Sequence, residues 1–283
     1  MSQAENPLST APKLKVPYGA CDCHMHIYES RFPVALTAVS PPPEAPLPAY
    51  RNVRQQLGLT RAVIVQPSAY GTDNSCTMEA VKALGKDARG VVVVDTTVTD
   101  AALAQLTDAG ARGIRFHMLP GGALPWDILE EMAALVDTFG WHVQLQMDGR
   151  FLSERESVLK RLPGILVIDH VGKFLEPVTT QHAGFQTLLR LVDTGRCWVK
   201  LSAPYEVSKA GPPYYDDVGA LAKALVKAAP ERMVWASNWP HPSVSGSAAP
   251  DDADLLDVLL DWVDDDAVRS RILVDNPAKL YGF

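Results

Sequence analysis

The chain has little of what would mark a secreted, membrane-spanning or nucleic-acid-binding protein. Only four cysteines, Cys21, Cys23, Cys76 and Cys197, occur in 283 residues. They make no C-x-x-C pair and no zinc-ribbon spacing, and Cys21 and Cys23 sit two apart in an expected strand, a poor arrangement for a disulfide. Reduced thiols in a cytoplasmic protein are therefore expected. No apolar run approaches the roughly 20 residues that a membrane span needs. Residues 1–17 are polar and contain proline, without the apolar stretch of a signal peptide, so they are read as an N-terminal tail. Basic runs are missing too: 26 Lys and Arg stand against 33 Asp and Glu, a net charge of −7, which argues against a nucleic-acid partner. Nor does a glycine-rich phosphate loop follow the first apolar segment, where a doubly wound dinucleotide fold would place one.

What is present is an alternation. Eight short apolar or β-branched runs occur in order: 19–27 (GACDCHMHI), 61–68 (RAVIVQPS), 90–95 (GVVVVD), 113–118 (GIRFHM), 142–147 (HVQLQM), 165–170 (ILVIDH), 197–203 (CWVKLSA) and 233–239 (MVWASNW). Near-continuous apolar character, as in Val91 to Val94, is what strands buried on both faces require. Between them lie segments of helical period at 77–84, 100–109, 128–139, 185–192, 218–229 and 254–263. Gly110 stands where a glycine would cap a helix before the fourth strand. Eight strands alternating with helices predict an α/β chain folded as a TIM (β/α)8 barrel over residues 18–283. The Pro-rich segment 40–48 (SPPPEAPLP) reads as a stiff loop after the first strand rather than a domain boundary.

In such a barrel, catalytic groups come from the C-terminal ends of the strands, and unusual polar residues gather there. The first run ends in Asp22-Cys23-His24-Met25-His26, and strand alternation puts His24 and His26 on one face, about 7 Å apart. Arg115 and His117 lie in the fourth run, Asp169 and His170 end the sixth, Lys200 and Ser202 lie in the seventh, and Ser237 and Asn238 end the eighth. A single histidine is most often a satisfied structural residue, and His142 and His182 are read so. A buried pair of imidazoles is costly unless each nitrogen finds a partner, which sets His24 and His26 apart.

These residues, with Asp-x-His-x-His early, Val167–Lys173 (VIDHVGK) late and Trp235–Pro242 (WASNWPHP) last, resemble the amidohydrolase superfamily over nearly the whole chain. Val65–Ser68, Gly71–Asn74 and Gly113–Phe116 narrow the resemblance to its metal-independent lactonase branch, whose members isomerise D-galactarolactone or hydrolyse 2-pyrone-4,6-dicarboxylate. The resemblance implies catalysis at His24, His26, His170 and Asn238. It implies no metal, although three histidines could hold a zinc: the fifth strand offers the neutral Gln144 and Gln146, and the eighth offers Asn238, where anionic ligands would be expected. A carboxylated lactone is the implied small-molecule partner, with Arg115 and Lys173 pairing its carboxylate. Ser68, Tyr70 and Asn74 are expected to bind its hydroxyls, and His241 to shape the wall.

The hydrolase pattern of that branch resembles T-D-W-P-H-P, its Asp serving as general base. Here the segment is Ser237-Asn238-Trp239-Pro240-His241-Pro242. An amide takes no proton at neutral pH, so the resemblance implies ring transfer from a 1,5-lactone to a 1,4-lactone, with a substrate hydroxyl as internal nucleophile. Open beside it stand a lactone hydrolase using another base, such as Asp22 or a strand-end histidine, an engineered Asn238 in a hydrolase, and a barrel that binds without turnover.

Overall fold

The computed structural model describes residues 11–244 and 249–283; the first ten residues of the expected tail lie outside that range. Eight parallel strands follow one another around a barrel in chain order: β1 (Cys21–Met25), β2 (Arg61–Val65), β3 (Ala88–Val92), β4 (Ala111–His117), β5 (His142–Gln146), β6 (Leu166–Ile168), β7 (Cys197–Leu201) and β8 (Met233–Trp235). After β8 the chain keeps company with β1. The Asn238 N–H donates to the His24 carbonyl at 2.9 Å and the His26 N–H to the Trp239 carbonyl at 2.8 Å, bringing the last segment against the first. Helices α1 (Leu47–Gln56), α2 (Ser75–Leu84), α3 (Asp100–Asp108), α4 (Leu129–Asp137), α5 (Leu152–Arg161), α6 (Ala183–Asp193), α7 (Asp216–Ala228) and α8 (Asp252–Trp262) alternate with the strands. Two short helices, α9 (Asp266–Ser270) and α10 (Asn276–Tyr281), close the chain. No helix of the described residues is long and apolar enough to cross a membrane.

Local chemistry places these helices. α6 buries Phe185, Leu188, Leu191 and Val192, spaced three, three and one along it, so one apolar face meets the sheet. The imidazole of His182 accepts from the Gly184 N–H and caps that helix, a structural use of this histidine. Asp251 and Thr99 cap α8 and α3 in the same way. Of the expected tail, the Lys13 and Leu14 N–H groups donate to the Asp257 carboxylate on α8, and Leu14 is buried.

Every strand stops short of the C-terminal end of the run that foretold it. The run 165–170 yields a strand only to Ile168, because His170 and Val171 turn to positive φ of 54° and 55°. The same happens after β7 and β8, at Ala203 and Asn238. A positive φ is uncommon outside glycine and a real outlier for a β-branched residue such as Val171. Such strain persists only where surroundings impose it, and it gathers at functional sites. The barrel's lower end is packed with Cys21, Val63, Val91 and Val167, plugged by Leu280 and Tyr281 from α10. Gly113 is required there: a Cβ at this position would come within 2.5 Å of the His142 ring.

Candidate active site

Regular alternation would put Cys23 and His24 on opposite faces of β1. The β1–β2 register slips between Asp22 and Met25, a bulge that admits one extra residue on one strand. Cys23 packs inward with Val63 and Val65, and the His24 ring also reaches the interior, where it meets Gln144, Lys200 and Asp169. Its neighbour Asp22 is held beneath the site. It accepts from the Ser237 N–H and hydroxyl, the Tyr50 hydroxyl and the His24 N–H, and burial pushes its carboxyl up to about 6.

The middle of the barrel is charged where most barrels hold branched aliphatics. Asp169 accepts from the Gln144 amide at 3.1 Å, and Lys200 and Arg115 approach it at 3.6 and 4.0 Å. Asp169 and Lys200 are wholly buried. Burial penalises the Asp169 carboxylate, but Lys200, Arg115 and the Gln144 hydrogen bond outweigh it and hold the carboxyl below its ordinary range. Burial also lowers Lys200, opposed by Asp169.

The imidazoles above this layer are neutral. Burial pushes His26 down to about 3, and His24 and His170 well below their usual value, with nearby cations adding to the effect. Neutrality fixes where their protons sit. His26 Nδ1 must donate to the Val65 carbonyl at 2.8 Å, so its Nε2 accepts. His24 Nε2, 3.2 Å away, therefore donates to it, and His24 Nδ1 accepts from Lys200 at 3.3 Å. The protons of His24 and His26 are thus both spent inside the protein. His170 differs: its Nδ1 meets the Ser202 hydroxyl at 2.8 Å. With that hydroxyl donating, we assign its proton to Nε2, free for a ligand.

Above the histidines opens a cavity of about 270 Å³. His26, Arg115, His170, Lys173, Asn238 and Ser68 contribute to its wall, and His24 lies just below, its ring 4.8 Å from those of His26 and His170. The Pro-rich segment contributes Ser40 to Pro43 as the outer wall. Three expected contacts are directed elsewhere. The Tyr70 hydroxyl bonds the backbone of Glu29, the Asn74 amide clamps both backbone groups of Val93, and His241 Nδ1 meets the Tyr205 hydroxyl at 3.0 Å. None of the three lines the cavity.

One charged wall group was not foreseen. Glu206, in the turn Pro204–Glu206 after β7, lines the cavity and pairs with Lys173. It also accepts from the Ser243 hydroxyl and, at 3.4 Å, from the Asn238 amide, which donates to the Tyr205 hydroxyl at 2.8 Å as well. Nothing in the surrounding sequence (APYEV) forms a motif; only its place just beyond a strand end pointed to it.

A family model described as amidohydrolase matches residues 21–283. The chain belongs to the amidohydrolase family. It is 39% identical to D-galactarolactone isomerase of Agrobacterium fabrum (strain C58 / ATCC 33970), over 99% of this chain and 97% of that one. It is 33% identical to 2-pyrone-4,6-dicarboxylate hydrolase of Comamonas testosteroni, over 95% and 92%. Among solved structures, an apo protein of Agrobacterium tumefaciens superposes with a TM-score of 0.92 at 37% identity, covering 97% and 98%. A zinc-bound amidohydrolase of Burkholderia multivorans, 18% identical with a TM-score of 0.76 over 93% and 99%, shares the fold.

Proposed function

We propose that this amidohydrolase is an isomerase that converts a sugar-acid 1,5-lactone, D-galactaro-1,5-lactone, into its 1,4-lactone by intramolecular acyl transfer. The observation that carries the reading is Asn238. The residue at the end of β8 is an amide whose nitrogen donates to Tyr205 and Glu206, so this position holds no proton acceptor for water. A hydroxyl of the bound lactone, held beside the carbonyl at high effective concentration, takes the place of water as nucleophile. His170 Nε2–H is the donor toward the developing oxyanion. His24 and His26 act through their chain of hydrogen bonds, which fixes the imidazoles against Lys200 and Val65. Arg115 and Lys173 bind the substrate carboxylate, and Ser68 meets a hydroxyl. Both cations already face carboxylates, Asp169 and Glu206. That balance suits a lactone with one free carboxylate better than one with two.

The chemistry needs no resident metal. His24, Asp169 and His170 bring ligand atoms within 4.8 Å of one another, a spacing that zinc could bridge. The donor set does not fit the ion. Its one carboxylate already faces Lys200 and Arg115, and the lone pair of His24 Nδ1, the nitrogen that faces Asp169, is taken by Lys200. A dication added there would meet two cations with a single anion to offset them.

A proton NMR time course on D-galactaro-1,5-lactone with metal-stripped enzyme tests the reading. The 1,4-lactone should appear before any open acid; direct opening to the diacid would favour a hydrolase, with Glu206 as the base toward water. His170→Asn should lower kcat by about 10²–10³, and unchanged turnover would remove His170 from the oxyanion role. Asn238→Asp should add hydrolysis, seen as diacid in the same spectra, because a carboxylate then stands where water can be activated.

A further inference from the structure

We propose that Glu206 is the proton relay of this isomerisation: it takes the proton from the attacking substrate hydroxyl and hands it to the ring oxygen that departs. The proposal rests on the isomerase reading and supplies what that reading leaves open, a group to move the proton. Among the described residues that line the cavity, Glu206 is the one carboxylate. Its side chain is only 6% exposed, yet it borders the space that His170, Lys173 and Asn238 enclose.

Four other candidate acceptors, Asp22, Asp169, His26 and His24, are engaged or out of reach. Asp22 is wholly buried beneath β8's end, bonded to Ser237 and Tyr50. Asp169 is wholly buried and committed to Gln144, Lys200 and Arg115. The His26 Nε2 lone pair is taken by His24, and that of His24 Nδ1 by Lys200. Around Glu206 the arrangement is that of a base being held. The Asn238 amide and Ser243 hydroxyl donate to one oxygen and Lys173 to the other, which holds the carboxyl group in place and aims it. Asn238 thereby changes role, from a missing base to a donor that positions one. The backbone contributes as well, since Ala203, at a positive φ of 49°, turns the chain into the Pro204–Glu206 segment just before it.

The proton balance closes on a single carboxylate. As the C4 hydroxyl oxygen bonds to the lactone carbonyl carbon, its proton passes to Glu206 and the carbonyl π pair moves onto oxygen, facing His170. Collapse restores the C=O bond and breaks the bond to the C5 oxygen, which receives the proton from Glu206. The donating and departing oxygens sit on adjacent carbons, so one carboxylate serves both. No water enters, and the carboxylate is regenerated.

The test compares wild type, Glu206→Gln and Glu206→Ala on D-galactaro-1,5-lactone by NMR. Glu206→Gln should lose about 10²–10⁴ in kcat while KM stays within about threefold, since Gln keeps the shape and the hydrogen-bond acceptor. Formate added to Glu206→Ala should restore part of the rate by supplying a mobile carboxylate in the vacated space. Binding of the open diacid, galactarate, to both variants by calorimetry shows that the pocket is intact. A Glu206→Gln rate within about threefold of wild type overturns the relay, as does a loss in Glu206→Ala that formate leaves untouched while galactarate still binds. A wild type that opens the lactone straight to diacid is a different failure. It overturns the isomerase reading, and the C4-to-C5 relay with it.

Discussion

Asp169→Ala is expected to lower the unfolding free energy by about 3–5 kcal/mol, the usual cost of breaking a buried charge pair by removing one partner. The carboxylate is wholly buried between Lys200, also wholly buried, and Arg115, which is 4% exposed. Without it two cations remain in the barrel interior with no nearby anion, and the Gln144 amide loses its 3.1 Å acceptor. Lys200 is walled in by the strands, and Arg115, though it borders the cavity, is almost fully buried. Urea titration followed by circular dichroism measures the loss, with an unchanged m-value showing that the folded state is otherwise compact. The surface pair Arg161–Glu130, at 58% and 55% exposure, supplies the contrast: Glu130→Ala should cost no more than about 1 kcal/mol. If Asp169→Ala cost as little, the charged layer would be solvated rather than sealed. The same variant should also lose activity, since Lys200 holds His24 and Asp169 holds Lys200.

The sequence discloses this layer only in part, and the reason is geometric. The eight strands were legible because a strand buried on both faces must be apolar along its length, as Val91 and Val92 are. Their ends were not, since residues such as His170 and Val171 continue an apolar run while already turning into a loop of positive φ. Pairing of His24 with His26 followed from alternation. That Cys23 and His24 both reach the interior did not, because a bulge leaves no mark in residue type. Polar residues beyond a strand end look alike whether they face the cavity or clasp a neighbouring backbone. Tyr70, Asn74 and His241 were read as the first kind, yet their polar groups bond Glu29, Val93 and Tyr205. Glu206 escaped for the converse reason: an isolated glutamate five residues past β7 resembles any solvated loop charge until Lys173, Asn238 and Ser243 are seen around it.

The same burial that keeps the imidazoles neutral makes the fold sensitive to acid, and unfolding is expected with a midpoint between about pH 4 and 6. Five histidines have folded-state values depressed by burial: His26 and His142 to about 3, His117 to about 4, and His24 and His170 well below the usual 6.5. In the unfolded chain each titrates near its ordinary value, so as pH falls through 6.5 the unfolded state takes up protons that the folded state refuses. Stability is therefore complete above about pH 6.5 and is lost below it, by about 1.4 kcal/mol per pH unit for each such histidine. One group works the other way. Asp22, raised to about 6, is protonated first in the folded state, which offsets one histidine between about pH 6 and 4. With roughly four net protons the slope approaches about 5 kcal/mol per pH unit, against a total stability of order 5–15 kcal/mol. Thermal melts from pH 7.5 to 4.5 should show a steep fall in Tm, and a flat profile would mean that the histidines charge freely in the folded state. His142 provides the decisive variant. It lies at the lower end of the barrel, its ring 5.4 Å from that of Tyr281 and away from the cavity. His142→Leu should move the acid midpoint downward by removing one imidazole from the count, with kcat unchanged. A shift of similar size on replacing the half-buried helix cap His182 would show instead that any histidine suffices, and that deep burial is not the cause.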